Sequence, residues 1–301
     1  MRVLVLGGTG LIGRSLVSHL AREGYEVVVV SRQPALAAQK FHQQGVINVQ
    51  SVGWDAQTAR GCGELINKES AIINLAGASP AHWHWSRSYK ACILLSRLYA
   101  GGAVMQAIER YGPPSVLIQA SASGYYGDRG QEVLTETSSL GRGFRAQVCQ
   151  EWEASTAHTQ IRCCILRTGL VLDTREGAFP PLLRFAQLLG SRLGDGEQWV
   201  PWIHNVDVAR AIQFLLEQQT LSGPFNLCAP QAVTNRELLR EVQRVLRYPP
   251  VFPLPAWALQ LLLGELATVV LDSQHLLPQR LTEAHFQFAY SHLEQALRDL
   301  L

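Results

Sequence analysis

Short apolar runs rich in β-branched residues alternate along this chain with longer stretches in which apolar residues recur at helical spacing. Residues 3–6, 26–30, 71–75, 116–119, 163–167 and 225–227 read as strands, and residues 11–23, 89–110 and 145–158 as helices. Strands that alternate with helices of this length predict a parallel sheet covered on both faces, an α/β, doubly wound arrangement. After residue 170 the rhythm changes, and ten of the 14 prolines fall between Pro180 and Pro278. That half is expected to supply the last sheet strands and a small substrate-side lobe.

Composition narrows the class. Hydrophobic residues make up 47% of the 301 positions and charged residues 17%, enough core and too little charge for a disordered chain. A net charge of +2 without long runs of one sign argues against nucleic-acid or polybasic membrane binding. The apolar stretch 257–271 is broken by Gly264 and Glu265 and is too short to cross a bilayer. Met1-Arg2 runs directly into apolar residues with no leader-like pattern, so a cytoplasmic location is expected. The six cysteines contain no C-x-x-C pair, and Cys163 and Cys164 lie in an apolar run where thiols act as small buried hydrophobes, so neither a zinc site nor a disulfide is expected.

The first strand runs into Gly7-Gly8-Thr9-Gly10-Leu11-Ile12-Gly13, which opens the first helix. Glycines here permit a tight turn and close approach of a diphosphate, and the helix start offers free N–H groups with partial positive charge. The context of strand, glycine turn and amphipathic helix points to a dinucleotide-binding site of the Rossmann type. Residues 1–250 are therefore expected to form that domain with inserted substrate-side elements, and 251–301 a small helical lobe packed on it.

The second strand ends at Ser31-Arg32, where an NAD site places an acid that accepts from the ribose 2′-hydroxyl. A hydroxyl and a guanidinium suit a 2′-phosphate instead, so NADP(H) is the expected cofactor. Leu75, Ala76 and Gly77 follow Asn74 at the end of the next strand, where small residues allow a ribose to come close.

Together these segments resemble the short-chain dehydrogenase/reductase superfamily, in its extended and atypical epimerase-like branch. The likeness rests on Gly7, Gly10 and Gly13, on Asn74–Gly77, on Ser121-Ala122-Ser123-Gly124-Tyr125-Tyr126-Gly127, on Leu166-Arg167-Thr168-Gly169 and on Trp202-Ile203-His204-Asn205-Val206-Asp207. Trp85, Lys90, Ser96-Arg97, Cys149-x-x-Trp152-Glu153 and Leu277-Pro278-Gln279-Arg280 extend it to the family of NAD-dependent, nucleoside-diphosphate-sugar epimerase-like proteins that end in a domain of unknown function. The resemblance implies a Rossmann fold and a bound dinucleotide but leaves the reaction undefined.

One departure bears on mechanism. Superfamily members use Tyr-x-x-x-Lys, the lysine easing loss of the phenol proton. No tyrosine here has a lysine four positions on, and the expected segment reads Phe144-Arg145-Ala146-Gln147-Val148-Cys149. Ser121, Ser123, Tyr125 and Tyr126 are then the candidates for proton transfer, with stacking or loop packing as the alternative for the tyrosines. Arg167 is a candidate for the cofactor diphosphate or an anionic substrate, with a structural carboxylate partner as the alternative. Trp85, Lys90, Trp202 and His204 are expected on the substrate side. Asp207 could cap the following helix. The His82-Trp83-His84-Trp85 run has two histidines but no further ligand, so it reads as an aromatic loop and not as a metal site. Two functions follow: an NADP(H)-dependent oxidoreductase or epimerase acting on a small hydroxyl- or carbonyl-bearing molecule, or a non-catalytic NADP(H)-binding sensor or scaffold. Oligomeric state is left open.

Overall fold

The computed structural model describes residues 1–46, 48–80, 85–157, 161–188, 192–248 and 253–301. Its centre is a parallel sheet of seven strands: β1 (Arg2–Leu6), β2 (Glu26–Ser31), β3 (Val49–Gly53), β4 (Ser70–Asn74), β5 (Val116–Ala122), β6 (Cys163–Thr168) and β7 (Gly223–Leu227). They lie in the spatial order β7-β6-β5-β4-β1-β2-β3. The chain builds outward from β1 through β2 and β3, then returns to place β4 on the other flank of β1. Leu6 is in register with Val30 on one side and with Asn74 on the other. The strand ends therefore stand level at this switch point, where doubly wound sheets open a ligand crevice.

Alternation along β1 divides the core. Val3 and Val5 pack toward α1 (Leu11–Arg22) and α6 (Asn205–Glu217), among Leu16, Val17, Leu20, Val208, Ile212 and Leu215. Leu4 and Leu6 face the other layer, against Ala100, Ala103, Val104 and Ala107 of α3 (Arg87–Tyr111). Among the described helices only α3 is long and apolar enough to cross a membrane, and here its small residues cover the sheet. The strand and helix sequence expected from the apolar pattern is present. The edge strand β3 and helix α2 (Pro34–Gln43) were not expected, because β3 is only half covered and has Val49 and Val52 as its sole large apolar residues. Helix α4 (Phe144–Ala154) ends short of the expected residue 158.

Helices α5 (Phe179–Leu188), α7 (Asn235–Leu246) and α8 (Ala256–Leu263) and the terminal α9 (Leu293–Leu300) gather around a second apolar core. Leu172, Phe179, Trp202 and Leu238 meet Leu259, Leu293, Ala296 and Leu297 there, so the C-terminal segment completes a core begun elsewhere. Polar seams add to the join. The buried Asp207 carboxylate accepts from the backbone N–H groups of Ala289 and Tyr290 at 2.8 and 2.9 Å. Arg280 donates to the carbonyls of Pro224 and Ser222 at the start of β7.

Candidate functional site at the switch point

The glycine turn is held by contacts that exclude side chains. Gly7 has φ of +78°, and a Cβ there would lie 2.8 Å from the Leu75 carbonyl group. A Cβ on Gly13 would overlap the Gly7 carbonyl oxygen. Gly10 is the N-cap of α1; no side chain caps this end, and no acidic residue stands in the first turn. Thr9, Leu11 and Ile12 are half-buried around it. An open helix N-terminus closely packed against Leu75 and Ala76 fits a dinucleotide diphosphate. Gly77 is exposed beside them, and Asn74 fixes the segment: its amide donates to Gln119 at 2.9 Å and its oxygen accepts from the Ala76 N–H at 3.2 Å.

Across the turn, Ser31 closes β2 and its hydroxyl accepts from the Gln33 N–H at 3.2 Å. Arg32 follows, exposed, and its guanidinium makes no ion pair or hydrogen bond among the described residues. No carboxylate ends this strand.

On the opposite flank, Ser121, Arg167 and Asn226 stand side by side on β5, β6 and β7. Arg167 grips Glu153 of α4 (Phe144–Ala154) through Nε and Nη2, both at 2.9 Å, and its Nη1 donates to the Tyr126 hydroxyl at 3.0 Å. Ser121 donates to the same carboxylate at 2.7 Å, and Tyr126 donates to Asn226 at 2.7 Å. Asn226 passes the connection to Leu277, and Glu136 accepts from the backbone N–H groups of Asn226 and Arg280. Burial raises the Glu136 carboxyl above its ordinary range. Burial also pushes the Tyr126 phenol up to about 12, against the lowering effect of Arg167.

This network decides among the expected residues. Tyr126 is fully buried with its hydroxyl engaged, an arrangement unsuited to proton exchange near neutrality. Arg167 is spent on Glu153, so the carboxylate-partner alternative describes it, and it has no free face for a cofactor diphosphate. Ser121 is likewise tied to Glu153. What remains open is Ser123 and Tyr125, on the 3₁₀ turn Ser123–Tyr126 directly after β5. Neither hydroxyl makes a hydrogen bond among the described residues, and the half-buried Tyr125 ring lies 3.4 Å from the Arg167 guanidinium carbon.

The segment in which the tyrosine–lysine pair is absent, Phe144 to Cys149, opens α4. Arg145 packs on Gly124 and donates to the Thr268 carbonyl at 3.0 Å and to Asp272 at 3.2 Å. Cys149 is buried with its thiol 3.6 Å from the Ala122 carbonyl oxygen, and burial raises its pKa, so it stays a neutral thiol. The Arg145–Asp272 ion pair ties α4 to the C-terminal segment.

The expected substrate residues divide as well. Trp85 donates to the Pro80 carbonyl and meets Phe144 edge-on, while Lys90 pairs with Glu265 at 2.6 Å; both lock α3 to α4 and the C-terminal lobe. Trp202 is buried and donates to the Gln231 carbonyl. His204 is buried too: its Nδ1 caps α6 by accepting from Val206, its ring stacks on Tyr290, and burial lowers its pKa. Trp202 and His204 thus belong to the join with the C-terminal segment. Asp207 lies in the first turn of α6, but its carboxylate serves Ala289 and Tyr290. His82, Trp83 and His84 lie outside the described residues, and among the described ones no group of three His, Cys, Asp or Glu is placed to hold a metal.

A cavity of about 480 Å³ opens between residues 194–198 and the segment 256–272. Asp128, Asp195, Glu265 and Asp272 line it with Gln198, Gln260 and Thr268. Arg145 links its Asp272 wall to the turn that carries Ser123 and Tyr125.

Sequence reasoning missed Glu153, Glu136 and Asn226, because each acts through partners far along the chain. Glu153 was visible only as part of a familiar Trp-Glu pair.

Residues 3–228 match the model of the NAD dependent epimerase/dehydratase family, and residues 254–300 match the domain of unknown function DUF1731. An epimerase family protein of Arabidopsis thaliana, named an SDR39U1 homolog and chloroplastic, is 35% identical over all of this chain and 87% of its own length. An epimerase family protein of Staphylococcus aureus is 32% identical over 99% of this chain and 98% of its own. The crystal structure of human epimerase family protein SDR39U1 with NADPH superposes with a TM-score of 0.87 at 29% identity, over 100% of this chain and 99% of that one. Thermus thermophilus UDP-glucose 4-epimerase complexed with NAD shares the fold, with a TM-score of 0.77 at 23% identity over 100% and 97% of the two chains. The chain belongs to the NAD dependent epimerase/dehydratase family, in the branch that ends in the DUF1731 domain.

Proposed function

We propose that this protein binds NADP(H) across the β1–β4 switch point and uses it to oxidise or reduce a small hydroxyl- or carbonyl-bearing molecule. The observation that carries the reading is the pairing of an uncapped, glycine-cleared helix start with an unpartnered Arg32 where an NAD site has its acid. The NADPH of the human relative supports the phosphorylated cofactor, while NAD in the more distant epimerase shows that the fold alone accepts either.

In this reading Gly10, Leu11, Ile12 and Gly13 receive the diphosphate, Ser31 and Arg32 the 2′-phosphate, and Leu75 to Gly77 the ribose on the far side. The cofactor supplies or accepts the hydride. Tyr125 and Ser123 hold the proton at the substrate oxygen. The cavity lined by Asp128, Asp195, Glu265 and Asp272 forms the substrate side. Carboxylates accept hydrogen bonds from hydroxyls and repel phosphate, so a neutral polyhydroxylated molecule suits it better than a nucleotide diphosphate sugar.

The replaced tyrosine–lysine pair favours a second reading, a protein that binds NADP(H) without turning it over. Single-turnover oxidation of bound NADPH, followed by absorbance against a panel of aldehydes, ketones and aldoses, separates the two. Oxidation with any panel member supports the enzyme. Stable NADPH across the panel leaves the ligand-binding reading.

A further inference from the structure

Arg97 is a buried cation that no carboxylate pairs among the described residues. It lies on α3 with 8% of its surface exposed. The ionisable groups that act on it are Cys149, Tyr89 and Cys92, and none of them is a carboxylate. Its guanidinium carbon lies 4.5 Å from the centre of the Trp152 ring, and Nη1 donates to the carbonyls of Ala78 and Ile93 at 3.1 and 2.8 Å. Nε is buried without a partner, and Nη2 makes no hydrogen bond among the described residues. Burial alone lowers its proton affinity, but a guanidinium still carries its charge at any physiological pH. With a ring face and two carbonyls against it but no carboxylate, its charge is left to act on something else.

Its place says what that is. The side chain rests against Gly77, and its Cγ and Cζ would be 3.2 and 3.3 Å from a Cβ there. It therefore sits under the segment that follows β4, on the flank of β1 away from β2. With the 2′-phosphate at Arg32 beyond β2, the nicotinamide half of the cofactor comes to this flank. Trp152 and Cys149 hold the head from α4, the helix on which the superfamily's lysine is missing.

Resting on that cofactor reading, we propose that Arg97 is a redox-state selector: a fixed cation on the nicotinamide side that admits the neutral dihydronicotinamide and disfavours the positively charged oxidised ring. The protein then binds NADPH more tightly than NADP⁺, whether it spends the hydride or senses it. A charge fixed in a site of low dielectric acts strongly on a second charge a few ångströms away, and a preference of about tenfold is expected.

Fluorescence titration of the full chain with NADPH, and competition of that signal by NADP⁺, reads the two affinities. NADPH is expected to bind about tenfold tighter. Arg97→Met should bring the ratio toward one, and Arg97→Lys, which keeps the charge, should retain most of the preference. A melting curve for each variant separates loss of fold from loss of selection, since general loosening weakens both forms equally. Equal affinities in the wild type, or an unchanged ratio in Arg97→Met, overturn the proposal while the cofactor reading stands. Absence of binding by either form overturns the cofactor reading itself.

Discussion

The Arg167 guanidinium and the Glu153 carboxylate meet through two parallel hydrogen bonds of 2.9 Å, joining the end of β6 to α4 beneath the candidate site. The pair is buried, with side-chain exposures of 6% and 11%, and both partners have further bonds, to Ser121 and Tyr126. Geometry of this kind satisfies the desolvated charges, whereas removal of one partner strands the other.

Truncation of either residue is therefore expected to be severe. Arg167→Met or Glu153→Gln should lower stability by about 3–5 kcal/mol, the usual cost of breaking a buried pair. Urea denaturation followed by circular dichroism measures this. A loss below about 1 kcal/mol would show that the pair is not structural.

The tyrosines should separate by role. Tyr125→Phe is expected to reduce single-turnover rates more than tenfold with NADPH affinity unchanged. Tyr126→Phe should leave chemistry largely intact and lower the melting temperature instead, because Arg167 and Asn226 lose a shared partner. The pH dependence follows in sign. A phenol raised to about 12 in the fold contributes stability that is whole below pH ~10 and is lost as pH rises toward 12. Wild type should lose stability over that interval more steeply than Tyr126→Phe.

His204 supplies the acid counterpart. Burial lowers its pKa in the folded protein, so its contribution is present above the unfolded value of ~6.5 and is lost as pH falls. Melting temperature should drop between pH 7 and pH 5, and His204→Asn should flatten that slope while costing stability throughout. A wild-type profile with no slope in this range would contradict the assignment of His204 to the buried join.

Much of the scaffold was legible in order of appearance. The runs ending at Leu6, Val30 and Leu75 announced a sheet buried on both faces, and the glycines after Leu6 announced its open crevice. Local rules sufficed there because the turn, the helix start and the close approach to Leu75 lie within or beside one βα unit. Strand β3 escaped because an edge strand needs little apolar residue to pair. The catalytic candidates were only half legible. Ser121, Tyr126 and Arg167 look like chemistry in sequence, yet pairing across β5, β6 and β7 turns them into one structural network through Glu153 and Asn226. His204 and Trp202, expected on the substrate side, have partners far along the chain in Tyr290 and Gln231.

The C-terminal segment is expected to be inseparable from the rest. Residues 1–250 alone would expose Trp202, Leu238 and Phe179 and leave the Asp207 carboxylate without its two donors. The isolated fragment should be insoluble or melt without a cooperative transition. A soluble fragment with a sharp thermal transition would show that the lobe is an accessory.

Calorimetric titration of the protein with NADPH and with NADH reads the proposed binding of NADP(H) at the β1–β4 switch through Arg32. NADPH should bind at least tenfold tighter, a difference of ~1.4 kcal/mol that one charge-assisted phosphate contact supplies, and Arg32→Asp should reverse the order. Equal affinities for the two cofactors, unchanged in Arg32→Asp, would contradict it.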